Sequence, residues 1–308
     1  MKRQMGWRNV LGFGLVFLVL SLFPQVTFSA ATCDDPKAIT FSIVPAMETM
    51  QDLQLYQPVL KHLKEVTGKD VNFYMPTSRA SVIEAMMNKF VDIAVYGPYS
   101  YLIANEKDKN IEVFATYSKA KGIVAEAGPG YKAVLITKKG SKFTTIESLK
   151  GTTLALTDPA STSGTLVPRI SFTEVIKMPL EAYFNKVVFS GEHDLSAMAV
   201  KDGKVDAAFV ATHRLDEVIN RGQAKKDDFN YLWYSEFIPG DPFVYRLSLC
   251  PELRKKIEDA FLNIHTVPGA KQFLENVKSE KMVRMTSKDY DIIRVLKKAE
   301  DELRKGKK

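Results

Sequence analysis

Three consecutive hydroxyl side chains, Ser161, Thr162 and Ser163, stand between Asp158-Pro159-Ala160 and Gly164. The apolar residues 154–156 lead into them, so the run reads as a strand end, a proline turn and the first turn of a helix. Hydroxyls at a helix start lie beside backbone N–H groups that lack a partner within the helix, and the helix dipole adds positive potential. The chemistry offered is the cradling of an anion. An ordinary N-cap with two spare hydroxyls is the competing reading. The Gly-Lys-Ser/Thr ending of a nucleotide P-loop is missing.

Four further junctions carry polar groups. Tyr96-Gly97-Pro98-Tyr99 follows an apolar run, and Pro98 suits the first turn of a new helix. Tyr96 and Tyr99 then stand at the carboxyl end of a strand, where open α/β sheets bind ligands; aromatic packing around a tight turn is the alternative. Ser190-Gly191-Glu192-His193-Asp194 places an imidazole donor between acids able to fix its tautomer, with a solvated cap as the alternative. Ala211-Thr212-His213-Arg214 and Pro239-Gly240-Asp241-Pro242 complete the set. Serine, histidine and aspartate are all present, but without a Gly-x-Ser-x-Gly elbow. Metal-ligand spacing and a dinucleotide fingerprint are also absent from the sequence. A run of hydroxyls at a helix start suits holding an anion better than activating one nucleophile, so binding is expected, not turnover, with no metal and no cofactor.

Positioning these junctions requires an open α/β architecture. Strands are expected at 39–44, 71–74 and 91–96, with helices at 53–67 and 81–88 between them. Gly128-Pro129-Gly130 interrupts the alternation, and a strand at 133–137 opens a second unit. That unit echoes the first: residues 85–94 and 199–208, offset by 114 positions, each place a helix end before a buried Val-Asp-x-Ala strand. Two such units face each other across a cleft, with crossings near 129–132 and 234–241. The segment from Pro251 onward reads as helical and packs back on the first unit.

The bulk properties agree with an exported binder. Lys2, Arg3 and Arg8 precede the apolar run 10–23, and Ser29, Ala30 and Ala31 follow it, the layout of a secretory signal peptide over 1–31. The run, about 14 residues, is short of the roughly 20 that an uncleaved membrane anchor needs. Thr32 before Cys33 makes a poor lipoprotein signal. About 277 residues then remain from the 308, enough for two lobes. Their net charge drops from +7 to about +4, a mild surplus that suits an anionic ligand but shows no basic stripe with interleaved aromatics for nucleic acid. In an oxidising compartment Cys33 and Cys250 pair as one disulfide or remain two thiols.

Taken in order, Val91-Asp92-Ile93-Ala94 with Tyr96-Gly97, residues 158–164 with Leu166-Val167-Pro168, Gly191-Glu192-His193 and Ile238-Pro239-Gly240-Asp241-Pro242 resemble one family. It is the phosphonate, phosphite and phosphate-binding proteins of ABC importers, and the resemblance spans essentially the whole mature chain. It implies a type II periplasmic binding fold, with two α/β lobes joined by a two-strand hinge. Lobe 1 would comprise 32–130 and 239–308, and lobe 2 would comprise 131–238. By the same resemblance Ser161, Thr162 and Ser163 hold the phosphonate oxygens, and Tyr96 and His193 are donors from opposite lobes. Asp241 matches a carboxylate that faces the ammonium of aminoalkylphosphonates. Two positions depart from the family: Arg79 stands where those binders have a tyrosine, and His213 where they have a glutamate. Both changes favour a smaller or more anionic ligand, such as phosphite, phosphate or methylphosphonate. The expected mechanism is hinge closure of a periplasmic monomer, with Tyr96 and Arg79 completing the cage; the resemblance further implies delivery of the ligand to a membrane permease driven by an ATPase. A sensory phosphorus-binding module and an exported phosphate-ester hydrolase are the other roles such residues would fit.

Overall fold

The computed structural model describes Met1, residues 33–45 and residues 49–305. The expected signal peptide therefore lies outside the described residues, apart from Met1. From Cys33 the chain forms one compact unit built on two main sheets.

The first sheet contains β1 (Ala38–Ile43), β2 (Asp70–Tyr74), β3 (Ile93–Val95) and β4 (Ile111–Lys119). These are connected by α1 (Thr49–Thr67), α2 (Arg79–Met87) and α3 (Pro98–Lys107). The chain then crosses through β5 (Gly130–Tyr131) into a second sheet of β6 (Ala133–Lys138), β7 (Thr153–Leu156), β8 (Lys186–Phe189), β9 (Ala207–Ala211) and β10 (Phe229–Tyr234). Helices of this second lobe are the short α4 (Thr173–Ile176) and α5 (Leu180–Tyr183), then α6 (His193–Lys201) and α7 (Thr212–Asn220). A return crossing, β11 (Ile238–Pro239), pairs antiparallel with β5. The chain ends in the first lobe with β12 (Phe243–Arg246), α8 (Pro251–Leu262), α9 (Lys271–Asn276), β13 (Ser279–Arg284) and α10 (Asp291–Lys305).

The strand orders are β13-β4-β12-β3-β1-β2 and β10-β6-β9-β7-β8. In each sheet the strand that follows a crossing, β12 or β6, inserts antiparallel beside the parallel set. This is a type II periplasmic binding fold. Central strands such as β9, Ala-Ala-Phe-Val-Ala, are buried throughout because helices cover both faces. Separate apolar clusters occupy the two faces of each sheet: Phe41, Phe243 and Phe261 lie on one side of the first, Ala94, Tyr96 and Val244 on the other.

The Val-Asp-x-Ala echo has a physical cause. Asp92, just before β3, accepts the backbone N–H of Thr40 in β1 at 2.8 Å. Asp206, just before β9, accepts that of Thr153 in β7 at 2.9 Å. Each carboxylate thus caps the neighbouring strand at the same point in its lobe. Gly130 allows the crossing strands to approach, since a Cβ there would lie 2.3 Å from the Ile238 carbonyl oxygen.

One expectation fails at the C-terminal end. The segment after Pro251 is not wholly helical, because β13 adds an antiparallel edge strand beside β4. Its polar sequence, Ser-Glu-Lys-Met-Val-Arg, buries only Ser279 and Met282 and carries the exposed charges that blunt an edge.

Cys33 and Cys250 form a disulfide. It fastens the segment from Cys33 beside β12, where Asp34 binds Arg246 at 2.6 Å and Arg246 in turn binds the strand cap Asp92. Replacing both cysteines with serine is expected to cost about 2–4 kcal/mol, read as a fall of several degrees in Tm that reductant reproduces in the native protein.

Candidate functional site

The hydroxyl run begins where β7 ends. Asp158 Oδ1 accepts the N–H of Ala160 at 2.7 Å, and the Asp158 carbonyl accepts that of Ser161, closing the turn. The next helical turn is wider than the expected α-helix. Residues Thr162–Leu166 form a π turn, in which the N–H of Leu166 donates to the carbonyl of Ser161, five residues back. Such turns are rare and favour functional positions. Ser161 Oγ caps it by accepting the N–H of Gly164 at 3.1 Å. Gly164 is required by packing, because a Cβ there would lie 1.9 Å from Thr157 Oγ1.

The three hydroxyls have different surroundings. Thr162 Oγ1 accepts the backbone N–H of Tyr99 at 2.8 Å, a bond from lobe 2 to the start of α3 in lobe 1. Ser100 Oγ donates to the Ala160 carbonyl in the same seam. Ser163 Oγ is buried beside the Tyr131 hydroxyl, its polar neighbour, without a well-aligned hydrogen bond among the described residues.

Arg79, the first residue of α2, crosses the cleft. Its side chain is only 6% exposed. Nη1 donates to the Gly191 carbonyl at 3.2 Å and stands 4.0 Å from Asp158 Oδ2, while Nη2 donates to Glu192 Oε2 at 3.3 Å. Burial pushes Glu192 up to about 7, against the pull of the Arg79 guanidinium. His193, the first residue of α6, enters from the opposite lobe. Its Nδ1 accepts the Ala211 N–H at 3.2 Å, which leaves Nε2 to carry the proton. Burial, reinforced by Arg79 and Arg214, holds the ring well below the ordinary histidine range, so it is a neutral donor. Arg79, Ser161, Thr162 and His193 surround a cavity of about 20 Å³. That is room for roughly one water, so an oxyanion enters only if the lobes part.

Tyr96 does not belong to this set. It is fully buried, and its hydroxyl donates to the Val82 carbonyl at 3.3 Å. The cause is strand alternation: Ile93 and Val95 face one apolar cluster, Ala94 and Tyr96 the other, beneath α2. The cavity wall at this point is the backbone of Gly97.

Asp241, beside the return crossing, meets an arginine and a histidine of the protein. Its Oδ2 lies 3.3 Å from Arg214 Nη2 and 3.8 Å from His213 Nε2. Burial acts to raise its pKa, but His213, Arg214 and Lys119 outweigh it and hold the carboxyl well below the usual range. His213 is itself lowered by burial, packs edge-on against Tyr131 and leaves a buried Nδ1 without a partner among the described residues. Sequence reasoning missed Tyr131, whose ring packs on His213 and whose hydroxyl meets those of Thr162 and Ser163. It also left Arg214 and Glu192 outside the site. The Arg214–Glu217 pair, i to i+3 on α7, was the available signal. Among the described residues no cluster of three or more histidines, cysteines and acids is arranged for a metal, and no helix is long and apolar enough to cross a membrane.

Residues 41–290 match the family described as ABC transporter, phosphonate, periplasmic substrate-binding protein. The chain belongs to that family. Its members are periplasmic substrate-binding components of transporters, not enzymes, and work with a small phosphonate ligand, a permease and an ATPase. The chain is 32% identical over 272 residues to the phosphonates-binding periplasmic protein of Escherichia coli (strain K12), covering 84% of this chain and 78% of that one. It is 29% identical over 276 residues to the phosphate-import protein PhnD of Mycolicibacterium smegmatis, covering 84% of each. The crystal structure of a binding-protein component of an ABC phosphonate transporter from Pseudomonas aeruginosa superposes with a TM-score of 0.77 at 28% identity, covering 85% of this chain and 86% of that one.

Gly164→Ala should force the π turn off Thr157 and lower stability by about 1–3 kcal/mol, whereas Gly269→Ala, where a Cβ meets nothing within 4 Å, should be neutral. Thermal melts of the two variants check this. Glu192 gives a pH test of the closed cleft. Its folded pKa, about 7, exceeds the unfolded 4.5, so the folded state is favoured below pH 4.5 and loses that advantage as pH rises toward 7. Glu192→Gln should therefore gain Tm relative to the native protein between pH 5 and pH 8; a difference that stays flat would show that Glu192 is not protonated on folding.

Proposed function

We propose that this family member captures a phosphorus oxyanion without an ammonium tail, such as phosphite, phosphate or a simple alkylphosphonate. The observation that carries the reading is Asp241, whose carboxylate is already engaged by Arg214 and His213. A ligand ammonium would have to displace a guanidinium from it. The relatives themselves are named for different ligands, phosphonates in one case and phosphate in another, so the family alone does not fix the preference.

The oxyanion docks on the π turn, where Ser161 and Thr162 line the cavity and Ser163 lies behind them against the Tyr131 hydroxyl. Arg79 and the Nε2–H of His193 supply charge-assisted and neutral donors from opposite lobes. Desolvating such an anion is costly, so several short hydrogen bonds must replace its water. Closure occurs about the paired crossings Gly130–Tyr131 and Ile238–Pro239, the hinge kind of motion. In this reading lobe 1 is 32–130 with 239–308, lobe 2 is 131–238, and the protein acts as an exported monomer that presents its closed form to the permease.

The test is calorimetry on protein unfolded and refolded free of ligand, titrated with phosphite, phosphate, methylphosphonate and 2-aminoethylphosphonate. One or more of the first three should bind at least about ten-fold more tightly than the last, a difference of about 1.4 kcal/mol. Ser161→Ala and Arg79→Ala should each weaken binding by about ten-fold or more. Heat-silent titrations with all four, and no rise in Tm, would remove the ligand class altogether.

A further inference from the structure

A second, larger chamber adjoins the oxyanion cavity. It measures about 470 Å³ and shares Val44, Tyr131, His213, Arg214 and Asp241 with it, so the two are neighbours with a common wall. Phosphite or methylphosphonate has no part that reaches so far. The chamber's charged lining is four cations, Lys119, Arg214, Arg221 and Lys278, against two carboxylates, Glu217 and Asp241.

Both carboxylates are taken. Arg214 binds Glu217 at 2.9 Å and Asp241 at 3.3 Å. Lys119 is not. Its Nζ donates to the Val277 carbonyl at 2.7 Å and sits 4.6 Å above the Tyr117 ring. No carboxylate among the described residues lies within ion-pair distance of it. An ammonium has three N–H groups, so Lys119 keeps donors for a further acceptor. Burial pushes its pKa down to about 8, the response of a cation that lacks a sufficient counter-charge. Tyr56 and Tyr117, whose hydroxyls are 2.7 Å apart, line the same chamber.

From these neighbours we infer that the chamber is a subsite for an acidic substituent: the protein takes phosphonates whose alkyl tail ends in a carboxylate, with Lys119 as the group that receives it. The inference rests on the oxyanion site proposed above. It adds that the second group of the ligand is an acid where an aminoalkylphosphonate would present a cation.

Calorimetry with 3-phosphonopropionate, propylphosphonate, 2-aminoethylphosphonate and methylphosphonate tests this on the ligand-free protein. The carboxylate compound should bind at least about ten-fold more tightly than the amine and about three-fold more tightly than the propyl compound. Lys119→Met should cost 3-phosphonopropionate about ten-fold and propylphosphonate less than about two-fold, while Lys119→Arg keeps the carboxylate within about three-fold. The ranking in the native protein stands independently of either variant. Equal or tighter binding of the amine or the propyl compound overturns the subsite. If methylphosphonate binds and the carboxylate gives no advantage, only this inference falls; if none of the four binds, the oxyanion site falls with it.

Discussion

A guanidinium withdrawn from water must be met on every side, and the cleft of this protein is organised around that requirement. Arg79 belongs to lobe 1, yet its partners Gly191, Glu192 and Asp158 belong to lobe 2. Apart from the Pro45 carbonyl of its own lobe, at 3.5 Å, the closed arrangement is therefore held by a charge whose acceptors sit on the opposite half. Removing an oxyanion from water poses the same problem with the sign reversed. In the proposed reading a buried arginine, a neutral histidine donor and hydroxyls at the π turn answer it, because each can exchange a protein partner for a ligand oxygen. Glu192, with its pKa raised to about 7, limits how much negative charge the protein itself keeps beside an incoming anion.

The geometry that brings these groups together is a duplication. The 114-residue offset seen between the Val-Asp-x-Ala strands also relates Arg79 to His193, both first residues of their helices. It relates Pro98 to Thr212, again at helix starts. Asp92 and Asp206 make the same strand-capping bond. Two copies of one strand–helix–strand unit, placed face to face, thus aim corresponding helix starts at one cleft. The chemistry has diverged while the scaffold has not. Arginine opposes histidine at one pair of positions, and Tyr99, whose backbone N–H bonds Thr162, corresponds to His213 at the other.

Much of this is legible in the chain itself. The strand–helix alternation, the turn at Gly128-Pro129-Gly130 and the hydroxyl run are local signals, and local signals survive folding. Tyr96 escapes a reading by position because proximity to a strand end says nothing about which face the side chain takes. The period-2 alternation already present in Ile93-Ala94-Val95-Tyr96 puts it beside Ala94, under α2. The edge strand Ser279–Arg284 is hidden for a related reason: a polar edge lacks the apolar alternation by which strands are recognised. Tyr131 and the Arg214–Asp241 contact are beyond reach because they depend on the crossings, where residues far apart in sequence meet. The π turn is invisible as such, since one inserted residue per turn leaves no compositional trace.

On the proposed function, the contacts of Asp241 are how a binding protein would change ligand charge without rebuilding its fold. A carboxylate beside the hinge is an electrostatic asset only while its field is unspent. Here His213 and Arg214 lie one after the other at the start of α7, and both turn toward it. The carboxyl then stays ionised well below the usual range, not for a ligand but for the protein's own cations. Deleting Asp241 outright would leave Arg214 buried with Glu217 as its remaining close acid, a costly state. Retaining it keeps the arginine in place, so that the same residue that would neutralise a cationic tail instead anchors the positive wall of the cavity.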